Sequence, residues 1–457
     1  MTPTGVRDSV PAWQAAAPGF AGALKTDAGL LARHIATGEE LLSALPPRAE
    51  RDAPRQLIAD RVLAACRASR GAFLAVHAEA VYDLLTDGLT RRVRLAELVY
   101  AAADRFPGLV PTRAQMDDEA AHIQAHKEAR EVDQGIFCGA VLRSPRAGLH
   151  LIDTMLMPTP RSMELADGFR ASGRVHLDTV SVERRGPAAH LTFRNAHCLN
   201  AEDGRLIADL ETAVDLALLD DQVRVGVLRG GPVDHPKYRG KRVFSAGINL
   251  KHLADGKIPL VEFLLGRELG YINKLFRGLL TAAHAPAWCD RAVQKPWLAA
   301  VDSFAIGGGM QLLLVADRVI AEQDAYFSLP AAGEGIVPGL GNLRLTRLTG
   351  SRLARQVILG GRRIAAGDPE ARLVCDEVVP AGAMDEAIER AVAQLSAPAV
   401  VANRSMLNLA EEPLGLYREY LAEFAVAQAV RAYSEDVLAK AELYRRRSPR
   451  AHDGSRT

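Results

Sequence analysis

Two glycine turns about sixty residues apart constrain this chain more than any other feature: Phe244-Ser245-Ala246-Gly247-Ile248-Asn249-Leu250 and Phe304-Ala305-Ile306-Gly307-Gly308-Gly309-Met310-Gln311. Each reads as the end of a strand, with glycine beside a backbone N–H. Two such N–H groups aimed at one point hold a developing negative charge. The second turn runs into the apolar stretch Leu312 to Ala316, which predicts that Gly308 and Gly309 open a helix. There the first N–H groups are unpaired and the dipole favours an anion. Together the turns predict stabilisation of an enolate. A glycine triple is also a common device for tight turns and close helix packing, so neither turn carries this reading alone.

A chain of 457 residues with 48% apolar content is long enough for two or three domains with buried cores. The 56 Lys and Arg against 55 Asp and Glu argue against nucleic acid or a membrane surface as partner. A small molecule fits better. Cys66, Cys138, Cys198, Cys289 and Cys375 are odd in number and lack any C-x-x-C spacing, so neither a disulfide framework nor a thiolate zinc site is expected. With no charged-then-apolar leader and no apolar run long enough for a bilayer, the expected location is the cytoplasm. His122 and His126 have i, i+4 spacing with Glu128 nearby, but without an adjacent H-E pair or a third ligand they read as a polar helix face. Gly307-Gly308-Gly309 lacks the G-x-G-x-x-G spacing of a dinucleotide loop. No metal or nicotinamide site is expected.

From Leu30 to Arg143 the chain is rich in Ala, Leu, Arg and Glu, with Leu57, Val62, Leu63, Phe73, Leu74, Val81, Leu84 and Leu85 at helical spacing. Turn-rich segments around Ser144-Pro145 and Met157-Pro158-Thr159-Pro160 follow. After them, Val175 to Val182 and His190 to Phe193 read as two strands divided by Arg185-Gly186-Pro187. A helix from Leu206 to Leu219, a strand from Val223 to Leu228, and the same order around Leu260 to Leu280 and Leu298 to Val301 predict a parallel α/β core. The expected organisation is a helical domain over 1–174, an α/β core over 175–383 and amphipathic helices over 384–457.

Downstream of the glycine turns stand Phe327-Ser328-Leu329-Pro330, Gly335-Ile336-Val337-Pro338-Gly339-Leu340-Gly341 and Leu345-Thr346-Arg347-Leu348. With the turns they resemble the crotonase (enoyl-CoA hydratase/isomerase) superfamily over roughly residues 175–383. The resemblance implies an α/β core of stacked β-β-α turns forming a spiral, with C-terminal helices packed on the core or a neighbouring subunit. It places the two hole N–H groups on Ile248 and Gly308, with Gly309 beside them. It also implies a CoA thioester as substrate and a homo-oligomer, trimer or dimer of trimers. A basic loop of Lys237, Arg239, Lys241 and Arg242, together with Ala246, is where it puts the coenzyme A handle; a solvated face is the plain alternative.

Hydratases of this superfamily carry one glutamate just after the glycine triple and another after the F-x-x-P segment. Here those positions hold Gln311 and Ala331, neither of which titrates at neutral pH. Glu334, three positions on, is left as a displaced base. The long helical N-terminal extension, Ile248, Gln311 and Gly266-Arg267-Glu268-Leu269-Gly270 together resemble the superfamily's cofactor-independent arylacetyl-CoA oxygenases of glycopeptide-antibiotic assembly. That resemblance assigns substrate contacts to Glu202, Arg267 and Gln311. It implies oxidation of 3,5-dihydroxyphenylacetyl-CoA by O2 to 3,5-dihydroxyphenylglyoxylate and free coenzyme A, with no cofactor. Each residue has a structural alternative: Glu202 as a helix cap, Arg267 as a solvated or paired arginine, and Gln311 as a satisfied group in a first turn. Two other functions stay open, an acyl-CoA hydratase, isomerase or thioesterase working through Glu334, and a non-catalytic acyl-CoA-binding protein.

Overall fold

A computed structural model describes residues 3–281 and 292–447; Cys289 lies outside the described residues. The first part is all helical and includes the Leu24–Ser43, Ala53–Leu85 and Glu131–Arg143 helices. The Ala53–Leu85 helix starts where Asp52 accepts from the Arg55 N–H, with proline in its first turn. Val62, Leu63, Phe73, Leu74, Val81 and Leu85 line its buried face, whereas Leu57 and Leu84, expected there, face solvent. The Pro160–Ser172 helix ends on Gly173 at φ 69°, the left-handed cap that glycine takes without strain.

The strands begin immediately after it. Val175 to Val182, read as one strand, is two: β1 (Arg174–His176) and β2 (Val180–Arg185) pair antiparallel. The bend between them is closed by the Leu177 N–H donating to the Val180 carbonyl, and Asp209 receives the Thr179 N–H, which an unbroken ladder would not allow. Next come β3 (Ala188–Phe193), β4 (Val225–Gly230), β5 (Trp297–Val301), β6 (Phe304–Ile306), β7 (Arg318–Glu322), β8 (Tyr326–Ser328), β9 (Ile364–Ala365) and β10 (Glu377–Val379). One sheet has the order β1-β2-β3-β4-β5-β7-β10, parallel from β3 onward, and a second has the order β6-β8-β9. Strands buried on both faces read as continuous apolar runs, as in Trp297–Val301, where every residue is buried.

The chain enters the large sheet on β5 and the small one on β6, turns through a helix, and repeats with β7 and β8. This is a β-β-α spiral. Ser245 pairs in parallel with Ala305, and β6 pairs with β8, so successive turns of the spiral stack the segments that carry the glycine turns. The C-terminal Leu414–Arg431 helix lies against Glu131–Arg143, where a Cβ on Gly135 would come within 2.7 Å of the Ala425 carbonyl oxygen. It also buttresses the core: Tyr417 donates to the Glu268 carbonyl at 2.8 Å and Tyr420 to the Gly339 carbonyl at 2.7 Å. No helix among the described residues is long and apolar enough to cross a membrane.

Candidate functional site

The two glycine turns meet where the spiral stacks. Ile306 N–H donates to the Ser245 carbonyl at 2.9 Å, and Gly307 N–H to the Ser328 carbonyl at 2.7 Å, which pins both turns to the small sheet. Glu202 N–H donates to Gly247 O and Glu202 O accepts from Asn249 N–H, so the peptide between them is held on either side of Ile248. The N–H groups of Ile248 and Gly308 donate to no protein acceptor among the described residues. A Cβ on Gly247 would lie 3.3 Å from Gly308 N, which measures how closely the turns approach. The Gly308–Leu313 helix is only six residues long, ending at Leu314 rather than running to Ala316. Individual N–H groups, not a long helix dipole, are therefore what it offers to an anion.

Glu202 does not cap its helix. Asp203 does, accepting from the Leu206 N–H at 3.0 Å. Leu199 and Asn200 take φ values of 58° and 53°, a left-handed pair uncommon for residues with a Cβ. The Asn200 side chain donates to the Val243 carbonyl at 2.7 Å to hold that turn, which swings Glu202 inward. The carboxylate then lies against Gly308: a Cβ there would sit 2.0 Å from Glu202 Oε2, so any larger residue would displace the carboxylate from Arg267.

Arg267 is buried and fully satisfied. Its Nε donates to Glu202 Oε2 at 2.9 Å and Nη2 to Glu202 Oε1 at 3.0 Å and to the Gly308 carbonyl at 2.9 Å. Nη1 donates to Glu268 Oε1 at 2.8 Å and to Gln311 Oε1 at 2.9 Å. Five N–H groups meet five protein acceptors. All five donors thus meet protein acceptors in this structure, and the guanidinium also lies on the cavity wall. Burial works against its charge, but Glu202 foremost outweighs it and holds the guanidinium protonated well beyond the ordinary range. Tyr271 donates to Glu202 Oε1 at 2.9 Å, completing that carboxylate's partners, and burial pushes the Tyr271 hydroxyl well up.

A cavity of about 80 Å³ opens beside these groups, lined by Ile248 and Gly308 on one side and Ala331, Glu334 and Val337 on the other. Arg267, Glu268 and Gln311 form its polar end, and Phe424 reaches it from the Leu414–Arg431 helix. Ala331 leaves the second hydratase position without a functional group, and Glu334 Oε2 accepts from Tyr444 at 3.0 Å. Ala246 lines the cavity, but Lys237, Arg239, Lys241 and Arg242 do not. Lys237, Arg239 and Lys241 are exposed on a loop anchored by Tyr238 packing edge-on against Phe304 at 5.3 Å, while Arg242 Nη1 donates to the Gly230 carbonyl. His122 and His126 do not share a helix, Glu128 pairs with Arg51, and no metal-holding cluster exists among the described residues. Met310 is buried and does not line the cavity.

The sequence reading gave no role to Glu268, Phe424 or Tyr271. Adjacent charges at 267 and 268 inside an apolar helical run were the available signal for Glu268. Nothing local marked Phe424, which reaches the cavity from a separate helix.

The enoyl-CoA hydratase/isomerase profile matches residues 183–413, half of the chain. The chain belongs to the enoyl-CoA hydratase/isomerase family. It is 57% identical over 410 residues, 90% of its length and 94% of the relative's, to a (3,5-dihydroxyphenyl)acetyl-CoA 1,2-dioxygenase from Amycolatopsis orientalis. A probable enoyl-CoA hydratase from Rhizobium meliloti (strain 1021) is 30% identical over 50% of this chain and 81% of that protein. Among solved structures, an enoyl-CoA hydratase/isomerase from Xanthobacter autotrophicus Py2 aligns with TM-score 0.49 and 23% identity, covering 60% of this chain and 94% of that one. The core is the crotonase-like α/β fold of this family, with helices before and after it.

Proposed function

We propose that the protein is a dioxygenase that converts 3,5-dihydroxyphenylacetyl-CoA and O2 to 3,5-dihydroxyphenylglyoxylate and free coenzyme A, without metal or flavin. The observation that carries this reading is the extent of identity: the relative bearing that activity matches 90% of the chain, helical extension included, whereas the hydratase matches 50%. Gln311 and Ala331 support it by leaving no acid-base pair for hydration.

In this reading Ile248 N–H and Gly308 N–H bind the thioester oxygen. Loss of an α-proton moves its bonding pair toward that oxygen, and the hole stabilises the enolate. O2 bonds to the α-carbon, which supplies the electrons itself. The resulting peroxide attacks the thioester carbonyl and expels thiolate. Breakage of the O–O bond with loss of the second α-proton leaves a ketone beside a carboxylate. Both oxygen atoms enter the product, one proton ends on the thiol, and no external reductant is consumed. The protein positions the reactants and excludes water. The cavity of about 80 Å³ is smaller than the ~150 Å³ that accommodates benzene, so the aryl group enters by parting a wall that includes Phe424 and Val337.

The reading carries a homo-oligomer, trimer or dimer of trimers, in the cytoplasm; Met406, Leu407 and Leu409, each more than half exposed on the Pro398–Glu411 helix, support a subunit contact. The exposed Lys237, Arg239 and Lys241 serve as phosphate partners for coenzyme A. Glu334 on the cavity wall favours a second reading, hydration or thioester hydrolysis with that carboxylate as base. Chelator-treated protein is tested aerobically with 3,5-dihydroxyphenylacetyl-CoA, following oxygen uptake and thiol release together. Equal amounts of each are expected. Thiol release without oxygen uptake, or turnover restored only by an added metal, overturns the proposal.

A further inference from the structure

Tyr417, Tyr420, Phe424, Gln428 and Arg431 recur at spacings of three and four in the Leu414–Arg431 helix and therefore lie along one seam. Phe424 reaches the cavity, and each of the others binds a main-chain atom. Tyr417 donates to the Glu268 carbonyl, and Tyr420 to the Gly339 carbonyl at 2.7 Å. Gln428 Oε1 accepts the Val337 N–H at 2.7 Å, and Arg431 Nε donates to the Gly335 carbonyl at 2.7 Å. The last three contacts fall on alternate residues of one segment, which runs past the helix in the opposite direction and carries Ile336, Val337 and Pro338 on the cavity wall.

Among the described residues no strand pairs with residues 335–339. The segment's own main-chain bonds are local turns, Ile336 N–H to the Ala331 carbonyl and Gly339 N–H to the Val337 carbonyl. Its place in the cavity is therefore set by the helix. The helix is in turn fixed from behind: a Cβ on Gly139 would come within 2.9 Å of the Ala422 carbonyl oxygen, and Arg418 Nη1 donates to the Leu142 carbonyl at 2.7 Å. The Glu131–Arg143 helix thus braces the seam through close backbone contact. Gln428 is 1% exposed, so the Val337 N–H has a dry acceptor. Deprived of it, that N–H must find water or move.

We propose that Gln428 is a positioning residue that, through the Val337 N–H, keeps the cavity wall shut against water while the enolate is present. It touches no substrate. The proposal rests on the enolate step of the dioxygenase reading. In that step the α-carbon has two fates. It bonds to O2, or it takes a proton from water, which forms a C–H bond with the enolate's electron pair, returns the starting thioester and consumes no oxygen. An open wall admits the second.

The test is turnover in D2O by wild type, Gln428→Met and Gln428→Glu, read as deuterium at the α-carbon of recovered 3,5-dihydroxyphenylacetyl-CoA per O2 consumed, beyond the exchange seen without enzyme. Methionine keeps the side chain's length without its acceptor; glutamate keeps the acceptor oxygen. Gln428→Met is expected to raise the ratio at least ~5-fold, the low end for an orphaned buried donor, and Gln428→Glu to stay within ~2-fold of wild type. Amide hydrogen exchange without substrate is expected to quicken in residues 335–341 of Gln428→Met and to stay unchanged in Trp297–Val301. An unchanged ratio in folded Gln428→Met, an equal rise in Gln428→Glu, or exchange that quickens throughout the protein overturns the proposal. If wild type consumes no oxygen, the dioxygenase reading fails, and amide exchange alone decides whether Gln428 holds the wall.

Discussion

Replacing Arg267 with methionine is the sharpest test of the buried network, because five hydrogen bonds end on that one side chain. Arg267→Met leaves Glu202 with only Tyr271, takes the guanidinium donor from Glu268, and frees Gln311 Oε1 and the Gly308 carbonyl. Breaking a buried ion pair from one side costs about 3–5 kcal/mol. The carboxylates limit the loss by taking up protons: from an ordinary pKa near 4.3, neutralising one at pH 7 costs about 3.7 kcal/mol, so two set a ceiling of ~7 kcal/mol. We expect ~5 kcal/mol. The sign of its pH dependence follows from linkage. Burial already raises the Glu268 carboxyl and Arg267 pulls it back, so in the variant the penalty at Glu268 is absent below about pH 4 and grows as pH rises toward the raised value. Urea unfolding of both proteins at pH 5 and pH 8, followed by far-UV circular dichroism, should give a larger deficit at pH 8. A deficit under ~1 kcal/mol, or one identical at both pH values, would refute the reasoning.

Gln311→Glu puts a third carboxylate on the Arg267 guanidinium beside Glu202 and Glu268, so its pKa should rise; oxygen uptake is expected to decline as pH increases through that titration, with no gain of crotonyl-CoA hydration because Ala331 leaves the second position empty. An oxygen-uptake pH profile identical to wild type would count against this placement. Combined replacement of Lys237, Arg239 and Lys241 by alanine should raise KM for the coenzyme A thioester several-fold, leave KM for the phosphate-poor pantetheine thioester unchanged, and flatten the salt dependence of the former. Equal effects on both thioesters would remove these lysines and arginine from phosphate binding.

Local chemistry made the glycine turns, the Gln311 and Ala331 departures and the helix-to-strand change near Gly173 readable, because each depends on residues close in the chain. The glycine at 308 is visible in sequence, yet its close approach is tertiary: the Glu202 carboxylate, from a distant turn, occupies the space a Cβ would need. The same limit applies to the charges. A sequence shows that Arg267 sits among apolar residues and must find an acceptor, but not that Glu202, Glu268, Gln311 and the Gly308 carbonyl supply every one. Apart from the adjacent Glu268, those partners come from two other segments, the turn of Glu202 and the Gly308–Leu313 helix, and only the stacking of successive spiral turns brings them within hydrogen-bond distance. Hence every donor of Arg267 ends on a protein acceptor, which no local pattern shows. Phe424 is set the same way, by a C-terminal helix whose approach to Glu131–Arg143 depends on two glycines in another part of the chain. Periodicity decides which face of an element is apolar; which atoms finish unpaired in a cavity is decided by packing between elements.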